Sequence, residues 1–129
     1  MAIQNILIVD DSPTERFYLT DILARAGYAV STAVNGEEAI DKIRAERPQL
    51  ILMDVVMPGA NGFQVTRSIA RDPELAAIPV IICSSKNQET DRIWGMRQGA
   101  RDYLVKPVDP ALLLASIASL DATPAAAAA

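Results

Sequence analysis

The sequence predicts an α/β fold in which a doubly wound, five-stranded parallel sheet is covered by helices. Three observations predict it: five short apolar runs, amphipathic stretches between those runs, and Gly, Pro, Asn or Asp residues at the junctions. Short continuous apolar runs are typical of strands that are buried on both faces. A chain of 129 residues that is 50% hydrophobic is long enough for one such domain with its own core.

The predicted strands are short and spread along the whole chain. They are NILIV (5–9), YAVSTA (28–33), LILM (50–53), PVIIC (79–83) and DYLV (102–105). Each is followed by a stretch long enough for a helix, so we interpret the chain as five successive βα units, (βα)5. Right-handed crossovers then build a doubly wound sheet of the flavodoxin-like kind, for which the strand order 2-1-3-4-5 is common.

The first helix is predicted from its capping residues and its apolar spacing. It begins after Ser12, with Pro13 in the first turn and Glu15 completing a capping box, and it ends at Gly27. Its apolar stripe consists of Tyr18, Leu19, Ile22, Leu23 and Ala26.

The other helices follow similar signals. Asn35-Gly36 also suits a hairpin turn, but helical spacing follows it as far as Pro48, so we predict a helix start there. The remaining helices are predicted at about 62–71, at about 89–98 before Gly99, and after Asp109-Pro110. Trp94 lies in the helix predicted at about 89–98 and is interpreted as a packing residue.

Composition excludes several classes of function. The net charge of −4 and the absence of a basic stretch argue against nucleic acid as a partner. Cys83 is the only cysteine and lies in an apolar run, so we interpret it as core filling in a reducing compartment. Without a targeting segment or a long apolar run, no membrane insertion is expected, and the protein is predicted to be a cytoplasmic monomer. Residues 1–121 form the predicted domain, and the Ala-rich tail 122–129 is expected to be disordered.

Polar residues follow four of the five apolar runs at their carboxyl ends. They are Asp10 with Asp11, Asp54, Ser84 with Ser85, and Lys106. The carboxyl ends of parallel strands meet at one edge of the sheet, so we expect these side chains to converge. Two carboxylates about 4 Å apart repel by about 4 kcal/mol at an effective dielectric constant of about 20, so the cluster needs a cation. With oxygen ligands and no histidine in the chain, Mg²⁺ is the cation that fits.

Such a set of residues suits phosphoryl chemistry. Three carboxylates, one divalent ion and Lys106 sum to zero charge, which leaves a site able to stabilise the oxygens of a phosphoryl group during transfer. A carboxylate can itself be the nucleophile and form an acyl phosphate. Asp54 is the better candidate, with Asp10 and Asp11 holding the metal, although spacing alone leaves this assignment open. Taken singly, each residue has an ordinary structural role, and only the whole set indicates a site.

Over residues 5–120 the sequence resembles the receiver domain of two-component response regulators. The match covers the acidic pair, the phosphoacceptor, the hydroxyl residue, the aromatic switch residue and the lysine with its following proline, which are here Asp10-Asp11, Asp54, Ser84, Tyr103 and Lys106-Pro107. The stretch QETDRIWGMRQGARDYLVKPVD is similar to regulators of type IV pilus chemotaxis systems. Ser84 stands where many members have Thr, and Ser85 where a smaller residue is usual.

The resemblance implies a phosphorylation switch rather than an enzyme that acts on other molecules. A histidine kinase or phosphotransfer protein would donate a phosphoryl group to Asp54. Mg²⁺ would be held by Asp11, Asp54 and the backbone carbonyl of Val56, with Asp10 in support.

The same resemblance implies how phosphorylation of Asp54 would change a surface outside the site. Ser84 and Lys106 would bind the phosphoryl oxygens. The Tyr103 ring would then turn from exposed to buried and remodel the surface that a downstream motility or regulatory protein recognises.

Three other classes share parts of the pattern. An aspartate-nucleophile phosphatase of the haloacid dehalogenase kind needs a second carboxylate two residues after the first, where this chain has Ser12. A flavodoxin-type electron carrier needs a phosphate-binding loop of hydroxyls and glycine after the first strand, which is absent here. A degenerate receiver that binds partners without phosphorylation is disfavoured by the complete residue set.

Overall fold

The computed structural model describes residues 3–59 and 61–122, which form five βα units. The strands are β1 (Asn5–Val9), β2 (Ala29–Ala33), β3 (Leu50–Met53), β4 (Val80–Ser84) and β5 (Asp102–Val105). The helices are α1 (Pro13–Arg25), α2 (Gly36–Glu46), α3 (Gly62–Arg71), α4 (Glu89–Arg97) and α5 (Pro110–Ala122). All strand pairs are parallel in the order β2-β1-β3-β4-β5, so the predicted fold class and topology are confirmed.

The sheet separates two apolar layers. Side chains alternate along β1, so that Leu7 and Val9 pack into one layer while Ile6 and Ile8 pack into the other. Every residue of β3 and β4 is buried, as the continuous apolar runs predicted. These inner strands form the rigid base from which the polar residues at their carboxyl ends project.

The two edge strands are less buried than their apolar runs predicted. In β2, Ala29 is exposed and the next three residues are half-buried, and in β5 Val105 is 44% exposed. An edge strand has a neighbour on one side only, so the helices that cover the centre of the sheet protect it less completely.

The N-terminus of α1 differs in detail from the prediction. Ser12 is the N-cap, and its Oγ accepts a hydrogen bond of 3.3 Å from the backbone N–H of Glu15. In a capping box the N–H of Ser12 would donate to the side chain of Glu15. Here it donates to Asp10 Oδ1 instead, at 2.9 Å. Of the predicted apolar stripe, Ala26 is exposed, because the helix has already reached its C-cap there.

The start of α2 confirms that Asn35-Gly36 begins a helix. Asn35 is the N-cap, and its Oδ1 accepts a hydrogen bond of 2.8 Å from the backbone N–H of Glu38. At the other end of the chain, Ala122 still belongs to α5, and the tail expected at 122–129 otherwise lies outside the described residues. Within residues 3–59 and 61–122, no helix is long and apolar enough to cross a membrane.

Candidate functional site

The polar residues predicted to converge do lie at one edge of the sheet. Asp10 and Asp11 follow β1, Asp54 follows β3, Ser84 ends β4 and Lys106 follows β5. The strands β1 and β3 are neighbours, with Val9 paired to Met53. Two backbone hydrogen bonds extend the sheet by one residue, from the N–H of Asp10 to Ala33 O at 3.0 Å and from the N–H of Asp54 to Val9 O at 2.9 Å. These bonds fix the backbone from which the carboxylates project.

Three carboxylates form a compact cluster. One oxygen from each of Asp10, Asp11 and Asp54 lies within 4.8 Å of the others. Asp10 and Asp54 are buried, with 1% and 7% of their surface exposed, whereas Asp11 faces solvent. An all-oxygen set that is open on one side suits a hard cation that keeps some of its water, so the residues present fit Mg²⁺.

Lys106 joins the two buried carboxylates. Its Nζ lies 2.7 Å from Asp10 Oδ2 and 3.3 Å from Asp54 Oδ1. Burial alone would lower the pKa of Lys106, but its hydrogen bond to Asp10 and the charges of both carboxylates outweigh burial and raise the pKa. The lysine therefore stays charged and neutralises part of the acidic cluster.

The surroundings of Asp54 shift the pKa of its carboxyl. Burial, together with the charge of Asp10, raises the pKa of Asp54 despite the attraction of Lys106. Asp10, by contrast, has a partner for each oxygen, since Oδ1 accepts from Ser12 N–H at 2.9 Å and Oδ2 accepts from Lys106. Both oxygens of Asp10 are thus fixed, whereas Asp54 accepts a longer bond of 3.3 Å from Lys106 and a backbone hydrogen bond from Val55.

Asp10 is also held through its backbone. The guanidinium of Arg16, on the first turns of α1, donates to the carbonyl oxygen of Asp10 at 2.9 Å. This arginine was not among the residues that the sequence indicated, because nothing in its spacing distinguishes it from an ordinary helix-surface cation.

A close approach of helix α3 shapes the loop after Asp54. A Cβ at Gly62 would lie 1.9 Å from the carbonyl oxygen of Asp54 and 2.9 Å from the Cα of Val55, so only glycine fits. The N–H of Gly62 donates to Val55 O at 2.9 Å, which ties the helix to the end of β3. Gly59 has a φ of 81°, a left-handed conformation that favours glycine in this turn. From the sequence, these glycines indicated only a turn before a helix.

Val56 lies in this loop, two residues after Asp54. Val56 is 58% exposed. The expected use of its backbone carbonyl as a metal ligand stays a prediction.

Ser84 and Tyr103 both contact the backbone of Lys86. Ser84 is fully buried, and its Oγ accepts a hydrogen bond of 3.1 Å from Lys86 N–H. The hydroxyl of Tyr103 donates to the carbonyl oxygen of Lys86 at 2.7 Å. The Tyr103 ring is only 7% exposed, and burial raises the pKa of its hydroxyl. The resemblance implied an exposed ring before phosphorylation, so the structure differs from that expectation.

Cys83 has no part in the chemistry of the site. It is buried in the sheet, and burial raises the pKa of its thiol to about 12. The peptide bond between Lys106 and Pro107 is cis.

Comparison with known proteins assigns the family. Residues 6–118 match the response regulator receiver domain. Protein PilH of Pseudomonas aeruginosa is 57% identical over 112 residues, which cover 87% of this chain and 93% of PilH. Response regulator PleD of Caulobacter vibrioides is 40% identical over 115 residues, or 89% of this chain and 25% of PleD.

Solved structures agree with this assignment. Chemotaxis protein CheY4 of Vibrio cholerae superposes with a TM-score of 0.84 at 31% identity, covering 92% of this chain and 98% of CheY4. The signal receiver domain of a signal transduction histidine kinase from Syntrophus aciditrophicus gives a TM-score of 0.87 at 34% identity, covering 95% of this chain and 92% of that one. The chain therefore belongs to the response regulator receiver domain family.

Proposed function

We propose that this chain is a phosphorylation-dependent switch that accepts a phosphoryl group on Asp54 in a reaction that requires Mg²⁺. One observation carries the proposal. Three carboxylates with oxygens within 4.8 Å of one another lie at the carboxyl edge of the sheet, and Lys106 bridges the two that are buried. Membership of the receiver family supports the same reading.

Asp54 is the proposed acceptor because it is buried and lies farther from Lys106 Nζ than Asp10 does, at 3.3 Å against 2.7 Å. Its pKa is raised by burial and by the charge of Asp10, so its carboxylate is a better nucleophile than one that is fully satisfied. An oxygen of Asp54 attacks phosphorus in the donor, which is a phosphohistidine of a kinase or phosphotransfer protein. The P–N bond breaks as the P–O bond forms, and the leaving imidazole takes up a proton.

The neighbouring residues have separate roles in this proposal. Asp11, Asp54 and the carbonyl of Val56 would hold Mg²⁺, with Asp10 in support. The ion, when bound, offsets the charge that accumulates on the phosphoryl oxygens. Lys106 and the hydroxyl of Ser84 would bind those oxygens after transfer.

The proposed pathway is two-component control of motility. The identity to PilH and the match to CheY4, a chemotaxis protein, support a chemotaxis-type system that acts on type IV pili. The donor would be a cytoplasmic histidine kinase or phosphotransfer protein, and the output would be a changed affinity for a downstream regulatory protein. The chain would catalyse only its own phosphorylation and dephosphorylation.

Intact-mass measurement tests the acceptor. Incubation with acetyl phosphate and Mg²⁺ should add one base-labile phosphoryl group to the wild-type chain, and EDTA should prevent it. Asp54→Asn should gain none. Asp41→Asn, which changes an exposed carboxylate on α2, should be phosphorylated like the wild type. An equal mass gain in Asp54→Asn, or none in the wild type, would contradict the proposal.

The switch role of Ser84 has its own test. Beryllofluoride mimics the phosphoryl group, and amide NMR shifts of residues 84–106 report whether its binding reaches Tyr103. We expect a response in the wild type that is much smaller in Ser84→Ala, because the mutant cannot contact the mimic through a hydroxyl. An undiminished response around Tyr103 in Ser84→Ala would refute the coupling.

A further inference from the structure

The groove between helices α3 and α4 collects positive charge on a protein whose net charge is −4. Arg67 and Arg71 of α3 face Arg97 and Trp94 of α4 across this groove, whose volume is about 360 Å³. These residues lie outside the acidic cluster and have no part in the chemistry proposed for it.

The arginines of the groove differ from most other exposed arginines, which pair with carboxylates. Arg25, Arg44, Arg47 and Arg92 each contact a carboxylate. Within residues 3–59 and 61–122, no ion pair involves any of the three groove arginines. The groove therefore presents guanidinium groups whose hydrogen-bond donors are available to an external anion.

Trp94 adds an apolar surface to the same groove. The sequence suggested that it is a packing residue, yet 49% of its surface is exposed. Trp and Arg are the residue types that contribute most often to the energetic centres of protein interfaces. An exposed indole flanked by unpaired arginines is thus a typical recognition surface.

Gly99, two residues after α4, and Ala70 of α3 approach each other closely in the lining of the groove. A Cβ at Gly99 would lie 2.7 Å from the Cβ of Ala70, so the end of α4 approaches α3 too closely for a larger residue. Most residues that line the groove are exposed, so the groove is open to solvent. An open groove suits a segment of polypeptide better than a small molecule, which needs an enclosed pocket.

We propose that this groove binds an acidic polypeptide segment of a partner protein. Arg67 and Arg71 are four residues apart on α3, which is a separation of about 6 Å along the helix axis. Carboxylates four residues apart on a partner helix have the same spacing. Such a helix pairs two acidic side chains with these arginines and a third with Arg97, and it lays an apolar side chain on Trp94. This inference does not depend on phosphorylation of Asp54.

The test uses the intrinsic fluorescence of the whole chain. Trp94 is its only tryptophan, so its emission reports on the groove directly. The probe is a synthetic, tryptophan-free helical peptide of about 16 residues with Glu four residues apart and Leu between them. Its matched control has Gln in place of every Glu. We expect the Glu peptide to shift the emission of Trp94, with an affinity that falls as salt is added, and the Gln peptide to have no effect.

Variants locate the binding surface, and circular dichroism confirms that they fold. Anisotropy of the labelled Glu peptide should show that Arg67→Gln combined with Arg97→Gln weakens binding about fivefold or more. Arg92→Gln, on the same helix but ion-paired with Glu89, should leave the affinity within about twofold. Equal binding of the Gln peptide, or an equal loss in Arg92→Gln, would overturn the proposal. Displacement of the peptide by ATP or pyrophosphate at lower concentrations than by unlabelled peptide would also overturn it, in favour of a site for phosphate anions.

Discussion

Asp11→Asn should stabilise the metal-free protein, although it removes a proposed metal ligand. Lys106 forms ion pairs with Asp10 and Asp54. In the part of the chain that the structure describes, the exposed carboxylate of Asp11 forms no ion pair. Its oxygen lies within 4.8 Å of an oxygen of each of the other two. In water each such pair repels by about 0.9 kcal/mol. The positive charge of Lys106 offsets part of the repulsion from the two pairs. We therefore expect the free energy of unfolding of Asp11→Asn to exceed that of the wild type by about 1 kcal/mol.

Urea denaturation followed by circular dichroism measures this difference. In EDTA, the midpoint for Asp11→Asn should lie above that of the wild type. In saturating Mg²⁺ the order should reverse or the gap should close, because the ion stabilises only the chain that binds it well. Asp41→Asn is the control, since its carboxylate is exposed on α2 away from the cluster, and it should stay within about 0.5 kcal/mol of the wild type in both buffers.

Two results would refute this reasoning. If Asp11→Asn were clearly less stable than the wild type in EDTA, the three carboxylates would not repel one another in the folded state. If Mg²⁺ raised the stability of both chains equally, Asp11 would not be a ligand of the ion.

Three further predictions concern the same edge of the sheet. The raised pKa of Asp54 means that its native carboxyl keeps a proton above pH 3.8, where the unfolded one has lost it. The stability of the metal-free protein should therefore fall as pH rises through this window, and urea midpoints in EDTA should fall less in Asp54→Asn. Gly62→Ala should lower stability by about 2 kcal/mol or more in thermal unfolding, since its Cβ would lie 1.9 Å from a backbone oxygen. Val56→Asn should shorten the lifetime of the phosphorylated form severalfold, because an amide can orient the attacking water and valine cannot; an unchanged decay rate would contradict this.

The fold and the convergence of the site could be predicted because both follow from simple periodicities. Short apolar runs separated by helical stretches leave few topologies, and parallel strands bring their carboxyl ends to one edge. Once Asp10 and Asp54 are assigned to the ends of neighbouring strands, their proximity follows from the register that pairs Val9 with Met53. The identity of the residues at this edge was therefore available from the sequence.

What the sequence did not predict depends on close approaches in three dimensions. The requirement for glycine at position 62 comes from the backbone of Asp54, eight residues earlier, and no spacing rule reveals that contact. The prediction of a capping box at α1 was wrong because the N–H of Ser12 donates to Asp10 rather than to Glu15. Whether Arg67 and Arg97 find carboxylate partners among the described residues also depends on where the carboxylates of other elements lie. Local sequence patterns locate helices and strands. Which donor pairs with which acceptor is decided only after these helices and strands pack together.

The position of Tyr103 changes how the switch should be understood. Two hydrogen bonds meet at Lys86, whose N–H donates to Ser84 Oγ and whose carbonyl oxygen accepts from Tyr103. The ring is therefore already buried without a phosphoryl group, and the hydroxyl proton of Ser84 is not used in its bond to Lys86. A phosphoryl oxygen that accepts this proton would strengthen an existing arrangement rather than create a new one. Because a ligand shifts an equilibrium only by its differential affinity, phosphorylation of Asp54 would act by raising the population of the conformation with Tyr103 buried.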